Sequence, residues 1–407
     1  MKKTLLFIFT MLFSLNSLYC NTLTWNDVLK EALKKNPEIA NARNSLKLSD
    51  ISYKSAFLNY YPDVSGSMSM RKSDSRDTSY SYGFSSKLTI FKGFKNVTEV
   101  KLKRTNLTIQ EATYKRRLSD FIYDLRISFA QVLKINETLM LLDEIQNRRK
   151  NNMELVKLRY DAGREDKGAY LRSEADYLQA EYETQSENRN YKIVKAELLK
   201  NIGKDIYEEI DVTGTFNIPE INERPSKELL QMNPDYIIIK HRLEASKYEL
   251  KYKYGDFYPN IGLSGSVSRS GDNWPPIDDS WGVGLSLSYP FFSGGRDFYE
   301  LKSAKLNKLI AENDLENTEH ELMLQIESAY NDLIDSMEYY KVREKFYAAR
   351  KERSEISREK YINGLISYQD WDSIENEFIN AEKSILDARY NVFASWAKWL
   401  RIIGEEE

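Results

Sequence analysis

The sequence predicts a mainly α-helical protein with a β portion, built from one helix, strand, strand, helix, helix unit that is written twice. Three observations predict that class: motifs recurring at fixed offsets, paired stretches in which large apolar and small residues alternate, and helical periodicity through most of the remaining chain. Composition agrees. Only 17 glycines and 9 prolines occur among 407 residues, charged residues make up 30%, and mean hydropathy is −0.60, which favours long solvated helices over a compact sandwich. The net charge of −3 comes from mixed-sign helix faces without a basic stripe, so no nucleic-acid partner is expected.

The repeat covers almost the whole chain. Asn36-Pro37-Glu38 returns as Asn233-Pro234-Asp235, and Tyr61-Pro62 as Tyr258-Pro259, both 197 residues later. Further on the offset is 201: Phe91 and Gly93 answer Phe292 and Gly294, Tyr160-Asp161-Ala162-Gly163 answers Tyr361-Ile362-Asn363-Gly364, and the run Leu199 to Gly203 answers Leu400 to Gly404. The offset changes between Pro259 and Phe292, where the second copy carries an extra loop, Asp272 to Ser280. A length change confined to one loop is what a duplicated fold tolerates.

Taken in order, residues 1–20 read as a secretory signal peptide, with Lys2 and Lys3, an apolar run from Leu5 to Phe13, and Ser14 to Cys20 before the polar Asn21. The run is too short to span a bilayer. Cys20, the single cysteine, either leaves with the leader or carries a lipid anchor; bulky Tyr19 before it argues for removal. The first repeat then occupies 21–203, an inter-repeat segment 204–225, and the second repeat 226–407. The region from about 201 to 228, with Pro219 and Pro225, is expected to pack around the waist of the molecule. Only four residues follow Ile403, so no large C-terminal belt is expected.

Each copy opens with a helix, about 26–58 and 226–256, that ends at Tyr-Pro because the residue before proline is pushed out of the helical region. Two alternating strands follow, about 62–71 and 80–91 in the first copy, 259–270 and 280–291 in the second. In the second copy, Ile261, Leu263 and Val267 alternate with Gly262, Ser264, Ser266 and Ser268, and Trp281, Val283, Leu285, Leu287 and Tyr289 alternate with Gly and Ser. In the first, Val64, Met68 and Met70 alternate with Ser65, Ser67 and Ser69, and Tyr80, Tyr82, Phe84, Leu88 and Ile90 continue the pattern. Loops of polar turn-formers join the strands. A long helix comes next, about 95–158 and 297–360, on the order of 95 Å. A Gly-containing turn and a final helix, about 168–200 and 367–401, close each copy.

The last helix carries a strict heptad seam: Trp371, Ile374, Phe378, Ala381, Ile385, Ala388, Val392, Ser395, Trp399. A second stripe, Ile379, Leu386, Phe393 and Leu400, runs beside it, so this helix has two packing neighbours and belongs to a layer. The equivalent seam in the first copy, Tyr170, Ser173, Tyr177, Ala180, Thr184, Glu187, Tyr191, Val194 and Leu198, is more polar.

Four strands with an outward apolar face cannot stand alone in lipid, where unpaired backbone groups cost several kcal/mol each. The sheet must close, and because about eight strands make the smallest membrane barrel, closure needs two, three or more copies of the chain. Aromatics near strand ends (Tyr80, Tyr82, Phe91, Trp281, Tyr289, Phe291) suit an interfacial girdle, and the Ser, Gly and Thr face suits a wet lumen. The apolar face is therefore expected to meet outer-membrane lipid.

The duplicated element order, the junction Tyr289-Pro290-Phe291-Phe292-Ser293-Gly294-Gly295-Arg296, the Tyr-x-x-Gly at both helical turns and the run Ala162 to Gly168 resemble the TolC family of outer-membrane efflux proteins. The resemblance spans nearly the whole mature chain. It implies a homotrimer whose twelve strands form an outer-membrane barrel continued by a periplasmic α-helical barrel. It further implies a passive conduit of a tripartite efflux or type I secretion system, coupled through a periplasmic adaptor (membrane fusion) protein to an inner-membrane transporter that supplies the energy. In the family the far helical turns form the gate and the adaptor dock. Tyr160, Asp161, Gly163, Arg164, Glu165 and Asp166 occupy the first of these turns, and Tyr361, Gly364 and Asp370 the second. Asp370, six residues after the turn glycine, matches an aspartate of the kind that narrows the pore, and a ring of three would repel one another and attract cations.

Two positions depart from the family pattern: a second aspartate would fall at Ser373, and an arginine expected two residues after Gly364 is Ile366. Arg164 with Glu165 and Asp166 offers a substitute ionic latch to Tyr361 or to a neighbouring chain; a solvated polar turn is the alternative. No enzyme is expected. His241 and His320 stand singly on helices without a ligand at metal spacing, no phosphate-cradling loop or nucleophile elbow occurs, and no cofactor is implied. A secreted or periplasmic structural coiled coil is the rival reading; it accounts for the heptads but not for the duplicated strands.

Overall fold

The computed structural model describes residues 22–73, 76–216 and 225–404. The leader with Cys20, Pro219 of the inter-repeat segment and the residues after Gly404 lie outside the described residues. The first copy runs β1 (Thr22–Leu23), α1 (Trp25–Lys35), α2 (Pro37–Ala56), β2 (Asp63–Ser73), β3 (Arg76–Lys92), α3 (Lys95–Asp161) and α4 (Lys167–Ile202). The second runs β4 (Asp211–Val212), α5 (Lys227–Met232), α6 (Pro234–Tyr254), β5 (Asn260–Gly271), β6 (Asp278–Ser288), α7 (Arg296–Ile362) and α8 (Tyr368–Ile403). The long helices α3 and α7 have 67 residues each, about 100 Å. Their partners α4 and α8 have 36 each.

The segments read from sequence as single opening helices are each two helices, broken at the repeated Asn-Pro. Asn36 caps α2 by accepting from the N–H groups of Glu38 (2.7 Å) and Ile39 (3.3 Å), and Asn233 caps α6 by accepting from those of Asp235 (2.8 Å) and Tyr236 (3.4 Å). Proline at the first helical position brings its fixed φ and lacks only an N–H that would be unpaired there, and the acid behind it favours the helix N-terminus. The motif is a helix start, so it interrupts whatever precedes it. Tyr61 and Tyr258 are extended (φ −103 and −111) before their prolines and turn the chain into the strands.

All four long strands form one antiparallel sheet in the order β2-β3-β5-β6. Phe84 lies opposite Gly66 on one side and Val267 on the other, and Val267 lies opposite Trp281, so the apolar sets of all four strands share one face. β6 ends at Ser288, earlier than its pattern suggested: Tyr289, Pro290 and Phe291 are not in a strand. Pro290 cannot donate to a ladder, and that edge has no neighbouring strand among the described residues.

Of the described residues, 22–35 with 128–216 make one compact unit, and those of 36–127 with 225–404 the other, so the division cuts the first copy, within α3, and leaves the second, from 226 on, whole. In the first unit β1 pairs in parallel with β4, Trp25 meets Phe129 edge to face at 5.7 Å, and Leu198, Leu199 and Ile202 are buried. Lys204 joins Glu31 (3.2 Å) and Glu208 (2.8 Å). In the second unit Leu229, Leu230, Leu322, Ile326, Ala329, Leu333, Trp399, Leu400 and Ile403 form a buried core, held at its rim by Asn233 donating to the Ile402 carbonyl (2.8 Å).

Candidate functional site

The two ends of the helical hairpins and the sheet are where the sequence placed function, and each has its own geometry. At the first turn α3 ends in a left-handed Gly163 (φ 70), whose N–H donates to the Tyr160 carbonyl (2.8 Å) while that of Arg164 donates to the Arg159 carbonyl (2.8 Å). Asp161, Gly163, Arg164 and Asp166 are exposed and Glu165 is half-buried. Asp166 serves as the N-cap of α4, its carboxylate accepting from Ala169 N–H at 2.9 Å. Tyr160 stacks on Tyr170 with ring centroids 5.9 Å apart.

The second turn repeats this backbone. Gly364 (φ 73) donates to the Tyr361 carbonyl (2.9 Å) and Leu365 to that of Lys360 (2.8 Å). Ser367, the counterpart of Asp166, caps α8: Asp370 N–H donates to its Oγ (3.1 Å), and that hydroxyl donates to the Asp370 carboxylate (2.7 Å). Asp370 itself is exposed. Tyr361 is 1% exposed and stacks on Trp371, 2% exposed, at 4.4 Å, with Tyr368 edge-on to both at 6.2 Å. The ring read from sequence as an available latch partner is thus committed to packing in its own turn. Sequence reasoning missed Tyr368 and the turn role of Trp371; the signal was the spacing Tyr361, Tyr368, Trp371, which brings three rings to one end of a helix pair.

Polar groups enter the α7–α8 seam as well. Glu375 is buried and accepts from Ser354 Oγ at 2.8 Å, and Glu382 is buried too, whereas Ile374 and Ile385 of the expected heptad are half-buried. In α4 the polar seam is as read, with Ser173, Ala180, Thr184 and Leu198 buried.

On the sheet, Val64, Met68, Met70, Phe84, Val267, Trp281, Val283, Leu285 and Leu287 are all exposed on one face, an apolar patch far larger than a water-facing surface carries. On the other face Ser65 and Ser85, and Ser69 and Ser81, share hydrogen bonds across strands at 2.8 Å. β2 pairs only with β3 and β6 only with β5 among the described residues, which leaves one backbone edge open at each end. No helix among the described residues is long and apolar enough to cross a membrane.

The two strand-to-helix junctions differ. Behind β3, Gly93 (φ 57) lies against the Gly255 carbonyl, Phe91, Phe94 and Tyr258 meet edge to face at 5.1 to 6.4 Å, and Lys95 pairs with Asp256 while covering the Tyr252 ring at 4.9 Å. Behind β6, Phe291 and Phe292 are 90% and 86% exposed, and Gly294 and Gly295 (φ 70 and 82) face open space. No group of three or more His, Cys, Asp or Glu that could hold a metal occurs among the described residues. His241 meets Glu244 in an ion-pair position (2.9 Å).

A family model described as "Outer membrane efflux protein" matches residues 28–204 and 226–405, one match per copy. The chain is 20% identical over 318 residues to the outer membrane efflux protein BepC of Brucella suis, covering 76% of this chain and 70% of that protein. It is 24% identical over 173 residues to the alkaline protease secretion protein AprF of Pseudomonas aeruginosa, covering 42% of this chain and 36% of that one. In three dimensions it resembles the Campylobacter jejuni CmeC outer membrane channel with a TM-score of 0.86 at 18% identity, over 94% of this chain and 86% of that one.

Proposed function

The chain belongs to the outer membrane efflux protein family, and from that premise we propose that three copies close a twelve-stranded barrel in lipid and continue it as a helical tube across the periplasm. The protein resides in the outer membrane, acts as an export channel and is not an enzyme. The observation that carries the proposal is the four-stranded sheet itself, which among the described residues exposes a broad apolar face and two unpaired edges and covers no core. Lipid takes that face, further copies take the edges, and the serine face lines water. A secreted coiled-coil fibre has no use for such a sheet.

In this reading residues 1–20 are removed on export, and the repeats at 21–203 and 226–407 each supply two strands and a helical hairpin. The segment 204–225 lies at the equator. The turns bearing Tyr160, Asp161, Gly163, Arg164, Glu165 and Asp166, and Tyr361, Gly364 and Asp370, form the periplasmic entrance and the dock for an adaptor, through which an inner-membrane transporter drives export. Asp370 suits a pore-narrowing role because its carboxylate is exposed and its helix start is fixed by Ser367. Purified protein in planar bilayers should form cation-preferring pores of low conductance, and Asp370→Ala should raise conductance several-fold. Absence of any pore refutes the conduit, and an unchanged closed level in Asp370→Ala removes that residue from the gate.

A further inference from the structure

The helices behind the sheet are sorted by charge. Glu99 of α3, Glu249 of α6 and Glu300 of α7 line one cavity of about 480 Å³, with Lys103 beside them and Lys253 tied to Glu300 at 2.8 Å. Successive residues of a helix turn by about 100°, so positions two before, two after and five after each glutamate lie on the opposite side. On α3 these are Val97, Lys101 and Arg104; on α7 Phe298, Lys302 and Lys305; on α6 Lys247, Lys251 and Tyr254. All nine are exposed.

Running away from the sheet, the three helices repeat one order. An apolar or aromatic side chain comes first (Val97, Phe298, Tyr254), then a lysine (Lys101, Lys302, Lys251), then a second cation (Arg104, Lys305, Lys247). The spans 97–104, 247–254 and 298–305 together hold eight lysines and arginines against three carboxylates, all three on the cavity side, in a chain whose net charge is −3. Among the described residues none of the six cations opposite the glutamates is in an ion pair. Arg104 lies over the Tyr53 ring at 5.5 Å and Lys305 over the Tyr254 ring at 6.0 Å, contacts that hold a cation in place without neutralising it.

We propose that this basic face binds phospholipid headgroups of net negative charge, of the phosphatidylglycerol kind, in the leaflet on the helix side of the sheet. The proposal rests on the channel reading, which puts the apolar face of the sheet in lipid. Val97, Phe298 and Tyr254 extend that apolar surface past the strand ends, and the cations follow about 5 to 10 Å further along the helix axes, the depth of a headgroup layer. Lysine and arginine lay their stems along apolar surface while their heads reach phosphate, and tyrosine favours the same boundary. Anionic headgroups supply the countercharge that the chain itself withholds from these six positions; zwitterionic ones supply none in net. An acidic protein would match the cations but would leave Val97 and Phe298 facing water.

The test uses the full chain reconstituted into phosphatidylcholine bilayers with a trace of spin-labelled phosphatidylglycerol or of spin-labelled phosphatidylcholine. The protein should restrict the motion of more of the first label than of the second, with a relative association of about threefold or more at low salt, and the preference should collapse in 1 M salt, where the screening length is about 3 Å. Combining Lys101→Gln, Arg104→Gln, Lys302→Gln and Lys305→Gln should bring the ratio close to one. Combining Lys341→Gln, Lys345→Gln, Lys351→Gln and Arg358→Gln, which removes the same charge from exposed positions further along α7, should keep it. Equal association of the two lipids with the native chain overturns the proposal, as does a preference that survives the first combination or falls equally in both. In each of those cases restriction of both labels leaves the channel reading standing. No restricted lipid of either kind, from protein that also makes no pore in planar bilayers, sinks both.

Discussion

The turns at 160–170 and 361–371 use the same positions for opposite ends. Each has a left-handed glycine, a capping side chain six residues after the tyrosine, and two rings ten residues apart. In the first turn those rings are Tyr160 and Tyr170, half-buried and 5.9 Å apart; in the second they are Tyr361 and Trp371, buried and 4.4 Å apart with Tyr368 against them. At the sheet the asymmetry reverses, since the first copy's junction is closed and the second's is open. Duplication supplied one scaffold, and each copy has been filled where the other is bare. A half-buried aromatic pair removes less apolar surface from water than an enclosed one, so the first turn is held by the weaker of the two ring contacts.

The largest effect is expected at the second turn. Trp371→Ala removes a buried ring on which Tyr361 stacks and should cost the α7–α8 end about 3–5 kcal/mol. Tyr170→Ala, at the matching position, should cost about 1–2 kcal/mol because its ring is half in water. Hydrogen exchange at the two turns reads this directly, and equal loss of protection would break the comparison. Trp371 Nε1 is buried without a hydrogen-bond partner, so Trp371→Phe should hold most of the stability that Trp371→Ala loses.

The junctions come second. Gly255→Leu gives the second copy the residue that the first already has at position 58 and presses on Lys95 Cγ and the Gly93 carbonyl. Overpacking of that kind costs about 1–3 kcal/mol. Leu58→Gly should lower the melting temperature of the detergent-solubilised protein far less, because Leu58 is exposed within the chain. If the two shifts match, the closed junction is no tighter than the open one, and the order of the two effects assumed above fails.

Much of this was legible in the sequence, and the failures have physical causes. Alternation of period two, matched between copies, placed all four strands because no other element shows it, and the proline after Tyr61 and Tyr258 fixed where they begin. The Asn-Pro motif was read as a repeat marker when its chemistry, a cap followed by a first-turn proline, describes a helix start. The end of β6 was misplaced because side-chain alternation continues through Tyr289, whereas strand ends depend on a partner's backbone, which one copy of the chain lacks. Tyr361 was assigned to polar chemistry by family resemblance, and only the three-ring spacing around it could have shown that it is core. Glu375 and Glu382 carry no signal of burial in the sequence; Ser354, 21 residues before Glu375 on another helix, is what admits one of them to the seam.

The smallest effect separates the copies at their bases. In the first copy burial alone would raise the Glu31 carboxyl, but hydrogen bonds from Lys35 and Lys204 outweigh it and hold its pKa below the ordinary value. Burial likewise opposes Lys204, and its bonds to Glu208 and Glu31 hold its pKa above the ordinary value. The second copy has Glu228 and Glu405 at the matching positions, two acids that cannot form such a pair. A depressed glutamate stabilises the fold above the unfolded pKa, about 4.3, and that contribution disappears as pH falls through the lower folded value. A raised lysine contributes below its unfolded pKa and is lost only at strongly alkaline pH. The first unit should therefore weaken below about pH 4 by no more than about 1 kcal/mol, since the groups are partly screened by water. Glu31→Gln should abolish that acid increment in melting experiments between pH 3 and 6, whereas Glu228→Gln should leave it intact; an unchanged acid response in Glu31→Gln would mean that other carboxylates govern this end of the molecule.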